Sequence, residues 1–139
     1  MTEQILKSSL GILVMTIHFS IIALIVWVSM HGGFLFDEMT TTVALISPVL
    51  SGYVFGFIYY AIINRKQTAK KPIYVSWLSV FISYFVIILL TTAIILLIFM
   101  KAYNKLSFEE FKITLTISEI IFGACIGVIL TPLLGGSID

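Results

Sequence analysis

Two ionisable side chains, Glu119 and His18, sit inside stretches otherwise composed for hydrocarbon. An ionisable group in such a stretch costs about 2.5–3.5 kcal/mol on the insertion scale and marks a function by default. Three readings of Glu119 stand open. It lines an ion path and attracts cations, or it is the proton-titrating carboxylate of a transporter. In the third it is structural, hydrogen-bonded to hydroxyls on neighbouring helices, with Ser47 and Thr91 or Thr92 at about its depth. At about 100° per residue, Thr116, Glu119, Gly123, Gly127 and Thr131 fall on one stripe. That spacing turns Glu119 toward protein or a watery cavity and leaves Ile117, Ile121 and Val128 for lipid.

His18 lies near the middle of the first apolar stretch, opposite the stripe Thr16, Ser20, Ala23 and Trp27. It reads as a neutral ring giving one hydrogen bond to a carbonyl, or as a gating or proton-relay group. His18 and Glu119 differ in depth by about 8 Å at 1.5 Å per residue, so no direct pair is expected.

Small residues mark the contact faces, because lipid gives helices little hydrophobic reason to associate. Gly52 and Gly56 form one G-x-x-x-G pair, and Gly123 and Gly127 form another at similar depth. Close approach of the second and fourth helices, within or between chains, is the expectation. Ser76, Ser79 and Ser83 make a small polar stripe, continued by Ile87 and roughly by Thr91, for helix contact or a narrow wet pore. Pro48, flanked by Ser47 and Ser51, is expected to kink its helix and free the Ala44 carbonyl.

The elements that position these residues follow from composition. Of 139 residues, 60% are hydrophobic and 11% charged, with a net charge of +1. Mean hydropathy is +1.14. A soluble chain is typically about 25% charged, so this one has too little polar surface to face water. Four stretches are long enough to cross a bilayer as helices: 8–30, 41–63, 72–100 and 113–134. Their apolar runs do not alternate as barrel strands must. Ser107-Phe108-Glu109-Glu110 reads as a capping box that starts the fourth helix at 108. The first stretch is too long for a signal peptide's apolar region, and no cleavage-like site follows it. The expected fold is all-α: a single transmembrane domain, a four-helix bundle with little chain outside the membrane.

Basic residues set the orientation. The connection 64–71 holds Arg65, Lys66, Lys70 and Lys71 and no acid, whereas the first connection holds Asp37 and Glu38 and no base. Placing 64–71 in the cytoplasm puts both termini there, with five of the eight basic residues on that side. This is the positive-inside pattern. The same loop could also contact anionic lipid or another subunit.

The small net charge and the lack of a basic cluster exclude a nucleic-acid binder. Cys125 is the single cysteine, so no internal disulfide forms, and no Cys/His cluster has zinc spacing. The spans supply one His and one Glu on different helices, without a hydrolytic motif, so neither an enzyme nor a cofactor site is expected. The leading expectation is a small protein of a bacterial-type cytoplasmic membrane. It acts by homo-oligomerisation as a pore or channel-like assembly, or as a membrane-acting effector. The alternatives are an accessory or structural subunit of a larger membrane complex, and a compact proton-coupled transporter.

Overall fold

The computed structural model describes residues 2–64 and 74–134. Four helices account for nearly all of them: α1 (Glu3–Met30), α2 (Phe36–Asn64), α3 (Trp77–Ala102) and α4 (Phe108–Leu134). Three of them contain segments long and apolar enough to cross a membrane: Ile5–Met30, Phe36–Gly56 and Trp77–Ala102. The fourth expected span, 113–134, runs beyond the described side chains of α4, which end at 127. Glu109 and Glu110 occupy its first turn, Lys112 follows, and Glu119 interrupts its apolar run.

The helix starts differ from the sequence expectation at three of four places, each time where local chemistry decides. α1 starts at Glu3, five residues before the apolar stretch, because polar residues extend a helix as readily as apolar ones. α2 starts at Phe36, because the Glu38 carboxylate accepts a hydrogen bond from Leu35 N–H at 3.0 Å and closes the first turn. α3 starts at Trp77, because the Ser76 hydroxyl oxygen caps it, accepting from Ser79 N–H at 3.2 Å. α4 starts at Phe108 behind a complete capping box. The Ser107 N–H and hydroxyl both donate to Glu110, and Glu110 N–H donates back to the Ser107 oxygen.

The chain is two helical hairpins built alike. α1 ends in a Schellman turn: Gly32 has φ 83° and its N–H donates to Ser29 O, while Gly33 N–H donates to Val28 O. α3 ends the same way, with Asn104 at φ 55° donating to Lys101 O and Lys105 donating to Met100 O. Phe36-Asp37-Glu38 then opens α2 as Phe108-Glu109-Glu110 opens α4. Each turn is the same length, His31 to Leu35 in one hairpin and Tyr103 to Ser107 in the other.

The hairpins pack side by side in the same orientation. α1 lies against α2 and α3, α4 lies against α2 and α3, and α1 also reaches α4 across the bundle. A bridge between Thr2 and Tyr74 ties the start of α1 to the lead-in of α3. Ala102 Cβ lies where a side chain on Gly33 would have to go, so the two turns meet at the other, hairpin end.

One residue of slip makes this stacking work. In α1 the buried positions include Leu10, Val14, Ile21 and Ile25. In α3 the equivalent places, judged from the matched turns, would be Ile82, Val86, Ala93 and Leu97. The buried residues are instead Ser83, Ile87, Ile94 and Ile98, each one later. α2 and α4 show the same step, from Thr42 and Ile46 to Leu115 and Glu119 rather than Thr114 and Ser118. A step of one residue rotates a helix face by about 100°. The two hairpins therefore bury different faces of their equivalent helices.

Outside this core much of the described surface is apolar. Phe19, Phe81, Phe85, Ile88, Leu89 and Ile120 are all more than half exposed. Tyr74 and Trp77 near one end and Trp27 and Tyr103 near the other are exposed aromatics, a placement compatible with the two interfaces of a membrane protein. An outer surface this apolar and an all-helical bundle are compatible with a small membrane protein.

Candidate functional site

Besides Thr42 and Ser83, whose buried hydroxyls donate to carbonyls of their own helices, three groups of polar residues stand out among the described residues. At mid-bundle, Glu119 is 4% exposed and His18 is fully buried. Glu119 belongs to the buried face of α4, with Leu115, Phe122 and Ile126. Both its carboxyl oxygens are shielded from solvent and have no hydrogen-bond partner among the described residues. The His18 Nδ1 lies 2.9 Å from Val14 O, one turn back on α1. A carbonyl only accepts, so Nδ1 carries the hydrogen, and in the neutral ring Nε2 is the acceptor nitrogen. The His18 ring meets Phe122 edge-on, with centroids 5.2 Å apart, which places it against the α4 face that bears Glu119.

This geometry corrects the structural reading of Glu119 as a group bonded to nearby hydroxyls. The Ser47 hydroxyl donates to Val43 O, Thr91 to Ile87 O and Thr92 to Ile88 O, each within its own helix. In an apolar span a hydroxyl is most cheaply satisfied by the carbonyl one turn back, and these take that option. The predicted stripe is corrected too. Thr116 is exposed and donates to Lys112 O, so the Glu119 face runs toward Leu115 and Phe122, not toward Thr116.

Gly52, Gly56 and Gly127 do not bring helices together within one chain. α2 and α4 are neighbours, but a Cβ on Gly52, Gly56 or Gly127 would meet nothing within 4 Å. Gly123 is half-buried. The serine stripe of α3 divides: Ser76 and Ser79 are exposed and serve the cap, while Ser83 is buried and donates to Ser79 O. α2 runs through the exposed Pro48 without a break in the helix, and Ser51 donates to Pro48 O. Arg65, Lys66, Lys70 and Lys71, and the side chain of Thr131, lie outside the described residues.

The second group, at the hairpin end, is one that the sequence reading missed. Lys101 Nζ of α3 lies 3.2 Å from the Glu38 carboxylate of α2, with both side chains almost enclosed. Lys101 also sits 5.6 Å from the centre of the Phe34 ring, and Phe34 packs edge-on against Phe111. The signal was there: an isolated lysine directly behind an apolar stretch, facing an acid that recurs as Glu110 in the other hairpin. The third is a single bond, Ser9 Oγ to Tyr84 Oη at 2.6 Å, which joins α1 to α3.

On the outside, α1 and α3 frame an open groove of about 350 Å³. Its walls are Ile17, Ile21, Leu24 and Ile95, and its polar points are the hydroxyls of Thr16, Ser20 and Thr91. No family model, curated protein or solved structure matches the chain.

Proposed function

We propose that this is a four-span membrane protein, N-in and C-in, that works by associating with copies of itself into a pore- or channel-like assembly. The reading places it in a bacterial-type cytoplasmic membrane, with the basic loop Arg65, Lys66, Lys70 and Lys71 on the cytoplasmic side. The α1–α3 groove carries the proposal. It sets the small residues Thr16, Ser20 and Thr91, each with its hydroxyl donating to the carbonyl one turn back, among apolar walls on an outer face that would otherwise touch acyl chains. Small polar residues are what helices use to pack on one another in lipid, or to line a wet passage.

Packing inside one chain supports the same reading. Leu10, Ile25, Leu115 and Phe122 fill the interior, and His18 and Glu119 are enclosed among such side chains. An ion path is therefore expected between copies, not through one. Gly52 and Gly56, open within the chain, provide room for a neighbouring helix.

The test is Ser20→Cys in a Cys125→Ser background, reconstituted in vesicles. Disulfide cross-linking between copies together with ion flux supports the assembly. A chain that stays single while the vesicles stay tight overturns it. Cross-linking without flux at any voltage or pH transfers the groove to the accessory-subunit reading, in which the same face holds a membrane partner.

A further inference from the structure

The self-association reading leaves the Glu119 carboxyl without a task, although its burial is the least ordinary feature of the interior. An ionised carboxylate removed from water is very costly unless a counter-charge or donors replace the lost hydration. On its own helix the neighbouring buried residues are Leu115, Phe122 and Ile126, none of which can donate. Lys101 of α3 and Glu38 of α2 also point inward, but they pair with each other at the hairpin end. From α1 the inward group is His18, whose Nδ1–H is given to Val14 O. Tyr84 of α3 is engaged with Ser9 of α1, and Cys125 is half-buried on α4.

A metal cation would need several oxygen ligands around it, and this face offers one carboxyl. A proton needs none. We propose that Glu119 is a proton-binding site, closed over by the edge-on contact of Phe122 with His18, that exchanges its proton with water only when the α1–α2 and α3–α4 hairpins part. Phe122 follows Glu119 by one turn of α4, and His18 belongs to the opposite hairpin, so that contact sits on the seam that must open. Proton loading and hairpin separation are then linked. The proton stabilises the closed bundle, and its release to water entering the seam favours the parted one. The proposal does not depend on how many copies assemble.

Infrared difference spectroscopy of the full chain in vesicles tests this. At neutral pH the wild type should show the carbonyl stretch of a protonated carboxylic acid, shifted by isotopically labelled glutamate and lost in Glu119→Gln. On transfer to D2O the band should move to its deuterated position slowly, and Phe122→Ala should speed that exchange by roughly tenfold or more. If Glu119→Gln does not fold, Glu119→Asp decides the point: a protonated-carboxyl band that no longer shifts with labelled glutamate supports the site, and a band that still shifts overturns it. Absence of the band at neutral pH, or a band that survives Glu119→Gln, overturns the proton site. Exchange complete on mixing in the wild type overturns the sealed seam.

Discussion

Lys101 and Glu38 form an ion pair, 3.2 Å from Nζ to carboxylate oxygen, between α3 and α2. It bridges the two hairpins at the end where their turns meet. The same carboxylate caps Leu35 N–H, so one acid both starts α2 and holds α3 in place.

Removing one member of an enclosed pair strands the other charge. Lys101→Met is therefore expected to destabilise the bundle by about 3 kcal/mol, in the range for breaking a buried pair. Glu38→Gln alone should also cost stability, and the double variant should lose less than the two singles together. Melting of the four proteins in one detergent measures this. Strict additivity would mean that the pair is not coupled.

Gly33 and Gly52 predict opposite outcomes for the same substitution. A Cβ on Gly33 would run into the Val28 side chain and Ala102, so Gly33→Ala should cost about 1–3 kcal/mol, as overpacking does. Gly52 faces open space in a helix, so Gly52→Ala should leave the single chain as stable, or stabilise it by up to about 1 kcal/mol. Chemical denaturation ranks them. A loss of cross-linking between copies in Gly52→Ala, with single-chain stability kept, would place that glycine in an interface between copies.

Much of this architecture is legible in the sequence. Apolar stretches locate four helices, and Ser107 with Glu110 marks the first residue of α4, because a capping box is a local device that needs no tertiary context. Which helix face turns inward was harder. The stripe through Thr116, Glu119 and Gly123 assumes that small and polar residues gather at the contact. The chain instead buries Leu115, Glu119, Phe122 and Ile126 together. In a span where both faces are apolar, hydropathy carries no direction. The hairpin repeat is a signal that the sequence reading passed over. Phe36-Asp37-Glu38 and Phe108-Glu109-Glu110 correspond, with Thr42 and Thr114 at matching places. What that correspondence cannot give is the one-residue slip, which arises only when two like-oriented hairpins must face each other.

The Glu110 capping box makes the start of α4 sensitive to acid. Hydrogen bonds from the Ser107 hydroxyl and N–H hold the Glu110 carboxyl below its ordinary pKa. A lowered folded-state pKa adds stability that is present above the unfolded value and lost as pH falls through the folded one. Protection of the Ser107 and Glu110 amides, the exchange rate relative to its intrinsic value at each pH, should therefore fall below the ordinary carboxylate range and hold steady above it. Glu110→Gln keeps hydrogen-bond acceptance without ionisation, so its exchange should lose that acid step. An unchanged acid step in the variant would assign it to another group.

Ser9 and Tyr84 give the last test, of how α1 and α3 are held together. Their hydroxyls lie 2.6 Å apart, and Ser9 also donates to Leu6 O, so the Tyr84 O–H is left as the donor between the helices. Hydrogen bonds between helices in a membrane contribute about 0.6 kcal/mol on average and up to about 1.7. Tyr84→Phe removes the donor while keeping the ring, and Ser9→Ala removes the acceptor. Each should lower stability within that range, and the double variant should cost little more than either one. Because the bond lies toward the end where Thr2 meets Tyr74, its loss should loosen that end first. Faster amide exchange in the first turns of α1 and α3, with the hairpin end unchanged, is the expected signature. Equal loosening at both ends would mean that the bundle opens as one unit and that this bond is not a local clasp.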